Sequence, residues 1–433
     1  MTSRSAEPPL PQFRFRDGQV SLWTMLRHGV GDVGSVIPAA ILEQDAVQLT
    51  GRGAPLVVST PELAREVLID RADQFDRDRF IRRLFRRSWG KGLAAAEGED
   101  WQRQRRAAVP FFTPKAVRTR LAAFAAAADA VLDEVEDGET VDLGKLAARI
   151  VARVVFGVLV DASGAVDIDA AAADVSPYIR RIGGFSLVDL LPLPERLIDH
   201  LHGIDGDPAV RRLRALGSTL AAARGHGDAQ DDLIALLEGV GPVEDNIRGL
   251  FPAAMDTTVN GLGWALSTLG LRPDWQARVA AEGQAQAGAS ALEQLPATRT
   301  VVSEVLRLYP PAPLLARSAA RDMELAGLPV RAGQTVLVCA YAMHRHRRYW
   351  DSPDRFDPDR WTQGPANPDA YMPFGTGPRM CPAAHFAQAE MAVILAQIVA
   401  RFRVEPNGPD PEVSLQTTTR ALGGLSARLH LRG

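Results

Sequence analysis

Residues 374–387 read Phe-Gly-Thr-Gly-Pro-Arg-Met-Cys-Pro-Ala-Ala-His-Phe-Ala, and Cys381 is the member of this stretch best suited to chemistry. Two glycines and a proline predict a tight turn just ahead of a helix. Backbone N–H groups and the helix dipole at such a place favour a thiolate over a thiol. A thiolate so held is a suitable axial ligand for haem iron, with Arg379 near enough to balance a propionate. Taken alone, the same residue also reads as a buried cysteine at a helix start. The other cysteine, Cys339, ends the apolar run Val336-Leu337-Val338 and reads as inert core.

Three further groupings have chemically useful spacing. Glu304 and Arg307 sit at i and i+3 on one helical face; on its own such a pair is worth about 0.2–0.5 kcal/mol at a surface. Asp256-Thr257-Thr258 interrupts an apolar helix. There the hydroxyls either bond back to the i−4 carbonyls, face solvent, or serve a purpose inside. Trp101 and Arg105, at i and i+4, either reach one anionic group together or pack a stem beneath a solvated charge. His344-Arg345-His346-Arg347-Arg348 reads as a solvated turn rather than a metal site, having no carboxylate or thiolate beside its histidines. Arg77, Arg79, Arg82, Arg83, Arg86 and Arg87 interleave with Phe80, Leu84 and Phe85. That pattern reads as a solvated face.

The elements carrying these residues are mostly helices. Helical periodicity dominates from about 100 to 310, with a central helix from about Glu244 to Leu271 and a last helix over about 383–402. Val47–Ser59 predicts a hairpin followed by a helix start at Ser59-Thr60-Pro61-Glu62. Short strands are expected at Leu325–Val330 and Thr335–Cys339, and a terminal hairpin near 411–431 containing Gly423-Gly424. The stretch 341–380 reads as a long coil of functional rather than filler character. Residues 1–35 read as an irregular N-terminal arm with one short amphipathic helix, and 36–433 as a single domain. The 433 residues are 46% hydrophobic and 23% charged, with 49 Lys+Arg against 52 Asp+Glu. That balance argues against disorder and against nucleic-acid binding. No run has the length of a membrane span and no signal peptide is evident, so a cytoplasmic protein without membrane attachment is expected.

Phe374-x-x-Gly377-x-Arg379-x-Cys381 resembles the haem-binding loop of cytochromes P450, departing at Ala383, where the family usually has glycine. Glu304-x-x-Arg307 resembles the family's Glu-x-x-Arg pair, and Phe356-Asp357-Pro358-Asp359-Arg360-Trp361 the segment whose arginine, here Arg360, completes that charge network. Ala253–Thr258 resembles the oxygen groove, with Asp256 and Thr257 at the positions of its acid and alcohol. Here Ala254 replaces a common glycine, and Pro252 lies within the helix. Trp101 and Arg105 match propionate contacts, and Arg317 resembles another. The stretch 77–87 resembles the family's loop over the substrate pocket, which offers a second reading of its arginines: recognition of an anionic group of a substrate.

The resemblance, covering roughly 60–430, implies a mainly α fold: a large helical domain with a small β-rich region and haem b buried between them. Cys381 would be the axial ligand, with Phe374 and Ala254 against the cofactor. The implied activity is insertion of one oxygen atom from O2 into a C–H or C=C bond, with Asp256 and Thr257 relaying protons. A separate ferredoxin and ferredoxin reductase would supply electrons to a monomer. Expected pocket residues are Phe80, Leu84, Phe85, Phe185, Leu187, Phe251, Met255, Leu314, Leu315 and Thr418. They would enclose a small to medium apolar substrate: a fatty acid, terpenoid or aromatic. A peroxide-using or oxygen-independent haem-thiolate enzyme, or a non-enzymatic haem-binding protein, has no need of the Asp256-Thr257 pair.

Overall fold

The computed structural model describes residues 8–18, 32–51, 53–160, 164, 166–183, 197, 200–201, 203, 206–223, 232–285, 292–364 and 367–433. Its organising element is the central helix Val243–Gly270. This helix is apolar nearly all round in its second half, where Leu262, Trp264, Ala265, Leu266 and Leu269 are buried, because other elements pack on every side of it. Leu143–Val154, Pro208–Ala223, Pro296–Leu308 and the last helix Ala384–Arg401 all contact it. Trp264 stacks on Tyr309 at 4.1 Å, nearly parallel, tying the central helix to the end of Pro296–Leu308. Among the described residues, no helix is long and apolar enough to cross a membrane.

The β portion is small. Strands β1 (Ala46–Gln48), β2 (Leu56–Val58) and β3 (Phe75–Arg77) come from the N-terminal part, and β4 (Glu139–Asp142) follows. Next come β5 (Leu314–Ala319), β6 (Met323–Leu325), β7 (Leu328–Val330) and β8 (Thr335–Cys339). One sheet has the order β1-β2-β8-β5-β3, with β2 and β8 parallel and the other pairs antiparallel. Strands β9 (Phe402–Pro406), β10 (Glu412–Leu415), β11 (Thr419–Leu422) and β12 (Ser426–Leu431) close the chain.

The Val47–Ser59 hairpin, the Thr60 helix start, the central helix and the last helix fall where the sequence patterns put them. The terminal hairpin differs. Its two arms are β10 and β11, turning at Gln416–Thr418, while Gly423-Gly424 releases the chain to β12, which pairs with β4 and β9. The described part of the N-terminal arm is fastened to the body. Tyr309 donates to the Pro11 carbonyl at 2.7 Å, and the Phe13 N–H donates to the Tyr341 hydroxyl at 2.9 Å.

The reading of His344–Arg348 as a solvated turn is corrected for its first three residues; Arg347 and Arg348 are exposed. His344, Arg345 and His346 are buried. His344 joins two segments: its Nδ1 lies 3.0 Å from the Arg307 carbonyl, and its Nε2 accepts from the Met372 N–H at 2.9 Å. An acceptor Nε2 needs a neutral ring, and burial pushes the His344 pKa down to about 3. Among the described residues, no group of His, Cys, Asp and Glu could hold a metal ion.

Candidate active site

The cysteine loop is built by close backbone approach. Gly377 has φ +75°, and a Cβ there would lie 2.1 Å from the Leu68 carbonyl oxygen, so only glycine lets the loop lie against that backbone. The Met380 N–H donates to the Gly377 carbonyl and the Cys381 N–H to the Phe374 carbonyl, each at 3.0 Å. Cys381 therefore sits at a fixed place just ahead of Ala384–Arg401. Burial pushes its thiol pKa up, while the Ala383 N–H and the Arg105 guanidinium favour the thiolate. Ala383 costs nothing in backbone conformation, having φ −92°. Cys339 is fully buried, with its thiol pushed up to about 12, and is core.

Beside the loop lies a concentration of guanidinium groups. Arg77 on β3 is paired in register with Arg317 on β5. Arg379 donates to the Ala96 carbonyl at 2.9 Å and to Glu97 at 2.5 Å, and its guanidinium lies 4.0 Å from the Trp101 ring centroid. Arg77 meets the other oxygen of Glu97 at 3.2 Å, and Arg105 lies 5.7 Å from the Trp101 ring centroid. Burial is the main cause lowering the pKa of all four arginines, and Arg379, repelled also by Arg77 and Arg105, falls to about 10. Glu97 is the carboxylate shared by Arg77, Arg317 and Arg379. The nearby Asp78 caps helix Arg79–Trp89 and also accepts from Ser318 and Thr335. Like charges directly opposite in an antiparallel pair repel, and buried cations demand anionic partners. A group with two carboxylates beside Cys381 answers both needs, which is what haem would bring. Arg105, Arg317, Arg379 and Trp101 are thus brought together. Arg77 and Glu97 are additions. In the sequence Arg77 is one of a run of arginines, because only the β3–β5 register shows that it faces Arg317.

Glu304 and Arg307 are wholly buried rather than exposed, and their pair is bidentate, both N–O distances being 2.8 Å. Arg360 reaches Glu304 at 3.1 Å, as the resemblance implies. Trp361 Nε1 and the Asp357 N–H also donate to Glu304, at 3.0 and 2.9 Å. Arg307 spends its other donors on the carbonyls of His344, Pro353 and Arg355. The network thereby fastens the irregular 344–361 stretch to a helix.

On the central helix, which continues through Pro252, the Thr257 hydroxyl donates to the Ala253 carbonyl at 2.9 Å. Both Asp256 oxygens are engaged from the terminal hairpin, by Arg420 at 2.7 Å and by Thr418 at 2.9 Å. Thr258 hydrogen-bonds Glu390 of the last helix, whose pKa burial pushes up to about 8. Sequence reasoning misses Glu390, since nothing in an alanine-rich helix marks it.

The expected pocket residues scatter. Phe251 packs on Phe156 at 4.8 Å, Phe85 on Trp89 at 4.2 Å, and Phe80 lies beneath Arg83. Leu84 and Met255 are buried, and Ala254 and Phe374 half-buried. Leu314 and Leu315, consecutive on β5, face opposite sides. Leu315 lies towards the cysteine loop near Gly375. Phe185 and Leu187 lie outside the described residues.

The family model for cytochrome P450 matches residues 49–183 and 243–427. A cyclooctat-9-en-7-ol 5-monooxygenase of Streptomyces melanosporofaciens is 32% identical over 80% of this chain and 79% of its own length. The cyclooctatin synthase of the same organism is 29% identical over 82% of this chain and 83% of its own. Among solved structures, a cytochrome P450 from Thermus thermophilus superposes with a TM-score of 0.71 at 27% identity, covering 89% of this chain and 92% of that one.

Proposed function

This chain belongs to the cytochrome P450 family and is a haem-dependent monooxygenase, and from that premise we propose that it oxidises an apolar, terpenoid-sized substrate with haem b held through Cys381. The observation that carries this reading is the cluster of Arg77, Arg105, Arg317 and Arg379, over-supplied with positive charge beside the one cysteine held in a preformed loop.

Cys381 would hold the haem iron through its sulfur, and Trp101 with the four arginines would hold the propionates. Glu304, Arg307 and Arg360 keep the segments behind the loop in place. When bound, the haem supplies the activation of O2 and the oxygen insertion. The chain's own residues orient the substrate, exclude water and move protons. Thr257 would hand on a proton through its hydroxyl, and Asp256 would resupply it. Ala254, Met255, Leu84 and Leu314 are the side chains that would face the substrate. The apolar character of these residues favours a hydrocarbon skeleton, and a relative named for oxidising an unsaturated cyclic alcohol supports a terpenoid. Electrons come from a separate ferredoxin with its reductase, and turnover reconstituted with that pair checks the arrangement.

Cys381→Ala should abolish the red-shifted CO band of the reduced protein; a retained band would overturn the ligand assignment. Thr257→Ala should uncouple oxygen consumption from product formation, and unchanged coupling would remove the relay. A screen of terpenoids, fatty acids and aromatics, read by Soret shift, tests the substrate class: a class giving no shift is excluded.

A further inference from the structure

Asp256 and Thr257 are neighbours in sequence, but on a helix they point about 100° apart. The Thr257 hydroxyl is turned back on the Ala253 carbonyl at 2.9 Å. The Asp256 carboxylate points instead to the β10–β11 hairpin, where Oδ1 accepts from Arg420 at 2.7 Å and Oδ2 from Thr418 at 2.9 Å. Asp256, Thr418 and Arg420 are all buried.

The hairpin that makes these bonds is itself fixed. The Thr419 hydroxyl donates to the Pro310 carbonyl at 2.6 Å, and its N–H donates to the Pro311 carbonyl at 3.1 Å. Trp264 Nε1, from the central helix, reaches the Thr419 carbonyl at 3.4 Å. At the base of the hairpin, Ser414 donates to Asp32 at 2.8 Å. The carboxylate is therefore oriented by a part of the chain more than 160 residues away, anchored to Pro310, Pro311 and Asp32 as well as to the central helix itself.

We propose that Arg420 and Thr418 are positioning residues for the acid of the proton relay: the terminal hairpin sets where the Asp256 carboxylate stands and how readily it serves Thr257. The inference rests on the relay reading of Asp256 and Thr257. A charge-assisted bond and a hydroxyl bond, one to each oxygen, hold the carboxylate in one rotamer. Proton resupply to Thr257 then starts from a carboxylate held in one place. Without Arg420 the carboxylate loses its stronger partner and samples other rotamers, and proton delivery falls behind electron delivery.

The test compares Arg420→Met, Arg420→Lys and Thr418→Val with Asp256→Asn and Thr257→Ala in the haem-loaded enzyme, using a substrate that shifts the Soret band. Arg420→Met should lower the fraction of consumed oxygen recovered as product about tenfold. It should also change the solvent deuterium isotope effect on turnover, leaving the spectral substrate affinity within about twofold. Arg420→Lys, which keeps a cation, should recover part of the coupling. Adding Arg420→Met to Asp256→Asn should cause no further loss, because both act on one group. If Arg420→Met does not fold, Arg420→Lys and Thr418→Val carry the comparison, each with a smaller loss of coupling. If Asp256→Asn and Thr257→Ala uncouple the enzyme while the hairpin variants do not, the positioning role is refuted and the relay stands. If Thr257→Ala and Asp256→Asn leave coupling unchanged, the relay itself fails, whatever the hairpin variants do.

Discussion

Replacing Glu390 by glutamine should stabilise the protein at neutral and alkaline pH and do little in acid. Glu390 is 2% exposed, its Oε1 has no hydrogen-bond partner among the described residues, and the neutral Thr258 hydroxyl bonds its carboxyl. Burial without a cation pushes its pKa from about 4.5 to about 8. Between those values the folded protein holds a proton that the unfolded chain has released, so raising the pH favours unfolding. Each pH unit in that window costs about 1.4 kcal/mol, so the loss from pH 5 to pH 8 is on the order of a few kcal/mol. The full contribution is present below the unfolded value and is gone above pH 8. Glutamine keeps the shape and the bond to Thr258 but does not titrate. Urea unfolding of the haem-loaded protein and of Glu390→Gln at half-unit steps from pH 5 to pH 9, read by tryptophan fluorescence, measures the difference. The stability gap should widen steadily to pH 8 and then level off. A gap independent of pH, or one that widens towards acid, would mean that Glu390 is ionised in the fold and would refute the reasoning.

Gly377→Ala should largely prevent haem incorporation, measured as Soret absorbance per protein, because its Cβ would strike the Leu68 carbonyl at 2.1 Å. Gly375→Ala, whose Cβ meets only Leu315 at 3.5 Å, should cost just the left-handed backbone penalty of about 1–2 kcal/mol and still load haem. Glu304→Gln leaves Arg307 buried without its charge partner and should lower stability by roughly 3–5 kcal/mol in urea titration; a loss under about 1 kcal/mol would show that the network is not needed. Arg77→Gln should speed haem transfer to a scavenging apoprotein at least as much as Arg105→Gln, and an unchanged rate would remove Arg77 from the propionate cluster.

The parts of the site legible in the sequence are those whose meaning is local. The cysteine loop is recognisable because its glycines, arginine and cysteine lie within eight residues. The central and last helices declare themselves by apolar periodicity, to within about two residues of their ends. The sequence pattern does not announce strands β3, β4 and β5. At three to six residues each, they are held by partners distant in the chain rather than by propensity. The same cause displaces the terminal hairpin: Gly423-Gly424 looks like a turn, yet β12 is claimed by β9 and β4.

What the sequence could not convey is which charges confront one another. Arg77 and Arg317 are 240 positions apart and become opposed only through the β3–β5 register. Arg79 and Arg82, from the same run, are exposed on the helix that follows β3. Composition treats these three arginines alike, whereas burial separates one held against Glu97 from two in water. The same reasoning divides the two halves of the relay. Asp256 and Thr257 form a single motif in sequence, but the helix turns them to different neighbours, and the carboxylate takes its orientation from Arg420 and Thr418. A proton path inferred from adjacent letters therefore depends on a hairpin that those letters do not mention, and variants of that hairpin examine the path without touching it.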